Sequence, residues 1–317
     1  MKPDTSHILI VGCGAIGGLF AAALSSVAKV TAFDANAEHA KAINAQGLRV
    51  IGKNARTVRI AATSDPASLK NTAFAAVIFL TKSKATPAAL EQLRTTFVGN
   101  PALVTLQNGM GNAEALLAVP DATVLRGVTM NAGRFVEAGC VENLIEGKTW
   151  LGPARGSIDS AKPLADLLNE SGMETEIVAD PMGAVWSKFV FNCVMNPLGA
   201  LMMGDNAARY NSPAMHALID DMAAECMAVV RALGGSFAFP PMDYADKVRA
   251  GQIQLSTHAG SMALDIARGG PTEIDELTGY IVHEADRLNI PVPTCKTIYR
   301  LTKGLELAAK SRVVKAR

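Results

Sequence analysis

His7 to Val11 (HILIV) is a five-residue apolar run that leads straight into Gly12-Cys13-Gly14-Ala15-Ile16-Gly17 and then an Ala-rich stretch. A G-x-G-x-x-G between a strand and a helix predicts the first βα turn of a doubly wound parallel sheet. Gly12 allows the tight turn, Gly14 the close approach of a pyrophosphate to the helix N-terminus, and Gly17 the packing of helix on sheet; Ala15 and Ile16 lie between them. Asp34 closes the next β-rich run about 20 residues on, where a carboxylate accepts hydrogen bonds from an adenosine ribose and repels a 2′-phosphate. No arginine lies within several residues of it, so Asp34 favours NADH over NADPH. The competing reading makes Asp34 the cap of a helix beginning near Ala35.

Strand-like runs continue at Val30 to Phe33, Phe74 to Leu80, Leu103 to Leu106 and Val124 to Met130, with helical segments near 15–27, 36–46, 84–97 and 111–118 between them. That alternation predicts a parallel sheet wrapped by helices, and the unbroken apolar run FAAVIFL suits a strand covered on both faces. Leu48 to Ile51 and Thr57 to Ala62 can pair as a local hairpin. After Asp180-Pro181 strand signals stop, and helical patterns fall near 182–203, 213–233, 257–268, 272–289 and 294–312. Pro197, Gly234-Gly235, Pro240-Pro241, Gly269-Gly270-Pro271 and Pro291/Pro293 punctuate them. The expected organisation is a Rossmann-type domain over 1–180 and an all-α substrate and dimerisation domain over 181–317.

At 317 residues the chain is long enough for two ordinary cores. Thirty basic residues against 29 acidic leave a net charge of +1, which argues against nucleic acid as a partner. No apolar run reaches the length of a membrane span, and Met1 to His7 lacks a secretory layout, so a cytoplasmic protein with no membrane partner is expected. Five scattered cysteines without a C-x-x-C pair predict reduced thiols, and none of the five histidines falls in a metal-ligand spacing.

Between Trp186 and Pro197, Lys188, Asn192 and Asn196 recur every fourth residue among Phe189, Val190, Phe191, Val194 and Met195. On a helix they form one polar stripe roughly 12 Å long, about the length of a small polar substrate. It is either a binding face or an ordinary solvated one. With the glycine motif, Lys82, Gln107-Asn108-Gly109-Met110, the stripe WSKFVFNCVMNP and the block HAGSMALDIARGGPTEIDELTG, the chain resembles the ketopantoate reductases nearly end to end.

The resemblance implies a C-terminal domain like that of 6-phosphogluconate dehydrogenase, and reduction of 2-dehydropantoate to pantoate in the pantothenate pathway, usually with NADPH. Members commonly carry a basic residue just past the second strand, whereas this chain reads Phe33-Asp34-Ala35-Asn36. On chemical grounds such a reduction needs a hydride, a proton for the alkoxide and a clamp for the carboxylate. Lys188 is the expected general acid, its pKa lowered by desolvation in place of snorkelling to solvent. Glu273 is expected to hold the Lys188 ammonium from the first turn of the helix near 272–289, with Thr272 as N-cap and Asp275 in a capping box; helix-dipole compensation is its plainer reading.

Ser261, in the first turn of the helix near 257–268, is a candidate carboxylate clamp or else a surface cap, with Asp265 structural. Asn192 and Asn196 would bond the substrate, Asn108 both nicotinamide and substrate unless it merely forms a turn, and Lys82 the cofactor unless it is an exposed loop lysine. The expected partner is a small 2-keto acid, with a homodimer suggested by the Met-rich helical half. Two other readings remain: an NAD-dependent dehydrogenase of a different 2-hydroxy acid, and a non-catalytic dinucleotide-binding redox sensor.

Overall fold

The computed structural model describes residues 6–255 and 259–315. The first part contains β1 His7–Val11, α1 Ala15–Leu24, β2 Lys29–Phe33, α2 Ala37–Gln46, β3 Leu48–Gly52, β4 Arg56–Val58, β5 Ala61–Thr63, β6 Thr72–Ala73 and β7 Ala76–Phe79. There follow α3 Thr86–Leu93, β8 Phe97–Val98, β9 Ala102–Thr105, α4 Asn112–Leu117, β10 Val124–Thr129, β11 Ala132–Glu137, β12 Cys140–Ile145, β13 Thr149–Arg155, α5 Lys162–Glu170 and β14 Thr175–Ile177. Beyond them the described elements are helices: α6 Met182–Leu201, α7 Asn206–Tyr210, α8 Pro213–Ala232, α9 Asp243–Arg249, α10 Ser261–Ala267, α11 Thr278–Leu288 and α12 Pro293–Lys315. The chain splits into two compact units, Met1–Gln107 with Gly111–Pro181, and Asn108–Met110 with Met182–Arg317.

In the first unit an eight-stranded sheet runs β14-β13-β10-β9-β7-β1-β2-β5. Neighbouring strands pair in parallel except β10 and β13, so β13 and β14 run opposite to the other six, which the simple alternation does not anticipate. A second sheet, β11-β12-β3-β4, combines two antiparallel pairs with a parallel β12–β3 pairing. Helix α1 packs against strands of both sheets, and Gly17 through Leu24 are all buried. That double covering explains why α1 is built from Gly, Ala and a few large apolar residues: a Cβ on Gly18 would meet Val141 at 2.9 Å. Burial of Leu19, Phe20 and Leu24 contributes about 1.5 to 3 kcal/mol each.

The expected strand over Thr57 to Ala62 divides. Arg56–Val58 forms the hairpin with β3, but Ala61–Thr63 extends the main sheet beside β2. The Asn44 side chain pulls that segment away by acting as a strand edge, since its amide donates to the Ala62 carbonyl at 2.7 Å and accepts from the Ala62 N–H at 2.9 Å.

In the second unit α6 packs against α8, α10, α11 and α12, and its Trp186, Phe189, Val190, Val194, Met195 and Leu198 enter the helical core. Pro197 does not end this helix. Its missing N–H leaves the Cys193 carbonyl without a helical donor, and the buried Thr278 hydroxyl supplies one at 2.7 Å.

The helix expected near 272–289 begins instead at Thr278, and residues 273–277 form a bend and turn. The capping box fails because its parts are bonded elsewhere. The Thr272 hydroxyl donates to Glu306 at 2.6 Å and accepts from the Ile274 N–H at 3.2 Å, while the Asp275 carboxylate receives the Tyr299 hydroxyl and the Lys303 ammonium. The helix expected near 257–268 is described from Ser261; its first two positions lie outside the described residues.

Candidate functional site

In the first unit the loop between β1 and α1 has the shape that its glycines predict. Gly12 has a φ of +87°, and a Cβ there would lie 2.7 Å from the Thr81 nitrogen. A Cβ on Gly17 would sit 1.8 Å from the Gly12 carbonyl oxygen, whereas one on Gly14 would meet nothing within 4 Å. Gly14 is the N-cap of α1 and offers no side-chain cap, so the first-turn N–H groups, those of Ala15 and Ile16 included, have no partner within the helix. A tight turn, an open space over its middle glycine and uncapped helix donors together fit a dinucleotide pyrophosphate.

Asp34 follows β2 and does not cap α2. That role belongs to Asn36, whose Oδ1 accepts from the Glu38 and His39 N–H groups. The Asp34 carboxylate reaches back to the glycine loop, accepting from the Cys13 N–H at 2.8 Å and from the Asn36 N–H at 2.9 Å. Burial, then the nearby Asp34 charge, pushes the Cys13 thiol pKa up. The residues flanking Asp34 on its C-terminal side, Ala35 to Glu38, are exposed and include no cation.

The loops at the ends of β7 and β9 are joined by Gln107, which the sequence marks only as part of the Gln107-Asn108-Gly109-Met110 motif, with no role of its own. Its amide donates to the Thr81 carbonyl at 2.7 Å and the Thr86 hydroxyl at 2.8 Å, and its Oε1 accepts from Thr105 at 3.0 Å. Asn112, at the start of α4, donates to the Ser83 hydroxyl at 3.2 Å. Lys82, just before Ser83, has an exposed side chain. Its neighbour Thr81 is thus fixed on the glycine-loop side, and the whole β7–α3 connection is anchored through buried hydroxyl and amide groups. Asn108 and Gly109 follow Gln107, and Asn108–Met110 groups with the helical unit, where Met110 packs on its core.

In the helical unit α6 carries Lys188, Asn192 and Asn196, and the stripe is not a solvated face. Asn192 is 6% exposed, and its Nδ2 is buried without a hydrogen-bond partner. A buried amide donor without a partner costs about 1 to 3 kcal/mol, which a ligand acceptor would recover. Lys188 and Asn196 are half-buried. Although part of the Lys188 side chain is open, its ammonium is surrounded closely enough that lost hydration pulls its pKa down to about 8, opposed by the charge of Glu273. The fold thus brings together two groups 85 residues apart in the chain.

Glu273 is held by its flanks. The Thr272 N–H donates to Glu306 at 2.8 Å, and Lys303 lies 3.1 Å from Asp275 and 3.0 Å from Glu306, so α12 fixes the turn on both sides of Glu273. The sequence signal for Glu306 and Lys303 is only an ordinary i,i+3 charge pair on a helix. Ser261 is the first residue of α10, which packs on α6, and it is exposed; Asp265 lies one turn on, half-buried. The five cysteines are free and buried. Among the described residues no group of His, Cys, Asp and Glu side chains is arranged to hold a metal, and no helix is long and apolar enough to cross a membrane.

A mostly parallel sheet with a glycine turn at its first βα junction, followed by a helical unit bearing a lysine, a glutamate and a buried amide, defines a dinucleotide-dependent oxidoreductase of the Rossmann type. Residues 8–156 match the family model described as ketopantoate reductase PanE/ApbA, and residues 180–306 match its C-terminal counterpart. The chain belongs to the ketopantoate reductase family. It is 31% identical over 302 residues to a 2-dehydropantoate 2-reductase of Halobacterium salinarum, covering 94% of this chain and 98% of that one. A solved PanE/ApbA family ketopantoate reductase from Ralstonia eutropha superposes with a TM-score of 0.84 at 27% identity, covering 96% and 99% of the two chains. D-mandelate dehydrogenase, solved with NADH and anilino(oxo)acetate, shares the fold with a TM-score of 0.87 at 22% identity over 96% of this chain and 99% of that one.

Proposed function

We propose that the protein reduces a 2-keto acid to the 2-hydroxy acid, with 2-dehydropantoate as the substrate and Lys188 as the general acid. The observation that carries this reading is the lysine whose pKa is drawn down to about 8 by burial against the charge of Glu273, one turn from a buried amide donor with no partner. Family membership and the 2-dehydropantoate 2-reductase relative support the substrate.

When bound, a reduced nicotinamide dinucleotide supplies the hydride for C2. The loop built on Gly12, Gly14, Ala15, Ile16 and Gly17 would hold its phosphates, with Asp34 at the ribose and Lys82 on the neighbouring loop. As negative charge grows on the keto oxygen, the Lys188 ammonium stabilises it and then gives up its proton, which a pKa drawn down to about 8 makes easier. Glu273 keeps Lys188 charged and oriented until that step. Asn192 and Asn196 donate to the keto oxygen and the polar groups beside it, Asn108 bonds both nicotinamide and substrate, and Ser261 clamps the carboxylate. An acidic residue already committed to the glycine loop, with exposed neighbours that carry no cation, supports NADH as the preferred donor.

Steady-state kinetics on a panel of 2-keto acids, with NADH and NADPH in parallel, tests substrate and cofactor together. The expected result is greatest kcat/KM on 2-dehydropantoate and a preference for NADH. Lys188→Ala should lower kcat by at least about a hundredfold while dinucleotide affinity holds. Retained turnover in that variant removes Lys188 from the chemistry. Dinucleotide binding with no turnover of any 2-keto acid would replace the enzyme reading with that of a sensor.

A further inference from the structure

His39 is a buried side chain that the chemistry above does not use. It lies in the first turn of α2, 1% exposed, with its ring edge-on to Phe135 at 5.1 Å between centroids. Both ring nitrogens are committed to backbone groups. Nδ1 accepts from the Gly139 N–H at 2.9 Å, so in the neutral ring the proton resides on Nε2, which donates to the Cys13 carbonyl at 2.8 Å.

Cys13 is the middle residue of the G-x-G turn, and its own N–H is held by Asp34 at 2.8 Å. The peptide groups on either side of Cys13 are therefore pinned by two different side chains. In a trans peptide the N–H points opposite to the C=O. Fixing the Cys13 carbonyl toward α2 therefore aims the Gly14 N–H away from α2. Gly14 is also the residue over which the loop is open.

We propose that His39 is a positioning residue for the dinucleotide, acting through the Cys13 carbonyl to hold the glycine loop in its phosphate-receiving form. The inference rests on the cofactor reading above and assigns one of its supports. An apolar residue of similar size would fill the space beneath the loop without fixing a peptide plane.

The two ring bonds can be removed separately. A glutamine amide nitrogen takes the place of Nε2 and keeps the donation to Cys13. An asparagine oxygen takes the place of Nδ1, keeping only the acceptance from Gly139. Titration of nicotinamide fluorescence with NADH, and with NADPH in parallel, gives Kd for the wild type, His39→Gln and His39→Asn, with Tm measured on the same samples.

The expected result is an affinity within about threefold of wild type for His39→Gln and about tenfold weaker for His39→Asn, with kcat at saturating dinucleotide unchanged in both. The inference is overturned if His39→Asn binds like wild type, if both variants weaken alike, or if loss of affinity only follows loss of Tm. A wild type that binds neither dinucleotide would overturn the cofactor reading itself, an outcome distinct from all of these.

Discussion

Exchanging Glu273 for glutamine removes a charge from beside Lys188 while keeping the shape of the side chain. Burial sets the lysine pKa at about 8, and the glutamate is the charge that keeps it from falling further. An opposite charge in close range typically moves a pKa by about 1 to 3 units. Lys188 keeps part of its surface in water, which screens the pair, so about 1.5 units, or ~2 kcal/mol, is the appropriate size. At neutral pH the wild-type lysine is about nine-tenths protonated, and after such a change only about one quarter remains protonated. Since the general acid must carry its proton, reductive kcat near neutrality should fall about fourfold from this cause alone and recover toward acid. The assay is kcat against pH from mildly acidic to alkaline, at saturating dinucleotide and keto acid. Wild type should lose activity as pH rises through about 8, and Glu273→Gln should show the same descending limb moved about 1.5 pH units toward acid. A limb that stays in place, whatever the height of the curve, would refute the claim that the Glu273 charge acts on Lys188.

The desolvated lysine should also be visible in stability. Its folded pKa lies below the value of about 10.4 in an unfolded chain, so the folding penalty is fully present below about pH 8 and is relieved as pH rises toward the unfolded value. Lys188→Met should then be more stable than wild type by about 2 to 3 kcal/mol near neutrality, with the gain gone by about pH 10.5; a pH-independent difference in denaturant midpoints would contradict this. The glycine loop offers a contrast between folding and binding: Gly17→Ala forces a Cβ to 1.8 Å from the Gly12 oxygen and should cost soluble protein or several degrees of Tm. Gly14→Ala meets nothing beyond its chain neighbours within 4 Å, so it should keep its Tm and lose dinucleotide affinity, and unaltered binding would place the pyrophosphate elsewhere. Thr278→Val strands the Cys193 carbonyl opened by Pro197 and should destabilise by about 1 to 2 kcal/mol, read as a shift in urea midpoint; no shift would mean that water serves that carbonyl equally well.

The parts of the candidate site that are legible in the sequence are those whose spacing is local. The glycines must fall at fixed offsets from a strand, and a polar row every fourth residue must share a helix face, so Gly12, Gly14, Gly17, Lys188, Asn192 and Asn196 read directly from order. The second sheet is harder to read because β11 is mostly half-buried or exposed and its pairing with β12 shifts register twice, which erases the period-two alternation that marks a strand. The supports are harder still, because each joins residues far apart: His39 meets Gly139 across 100 positions, Thr278 meets Cys193 across 85, and Thr272 meets Glu306 across 34.

The turn at Glu273 shows why local rules give way at such points. A threonine three residues before an aspartate is a sound helix-start pattern, but a hydroxyl and a carboxylate have limited hydrogen-bonding capacity. Once Glu306 takes the Thr272 hydroxyl and Lys303 and Tyr299 take Asp275, the local cap is lost and the helix begins five residues beyond Glu273. Glu273 therefore sits on a turn whose two flanks are tied to α12, where its direction is set by tertiary bonds and not by a helix axis. A carboxylate on such a turn is held more firmly than one in the frayed first turn of a helix, so the lost cap leaves Glu273 fixed where its charge acts on Lys188.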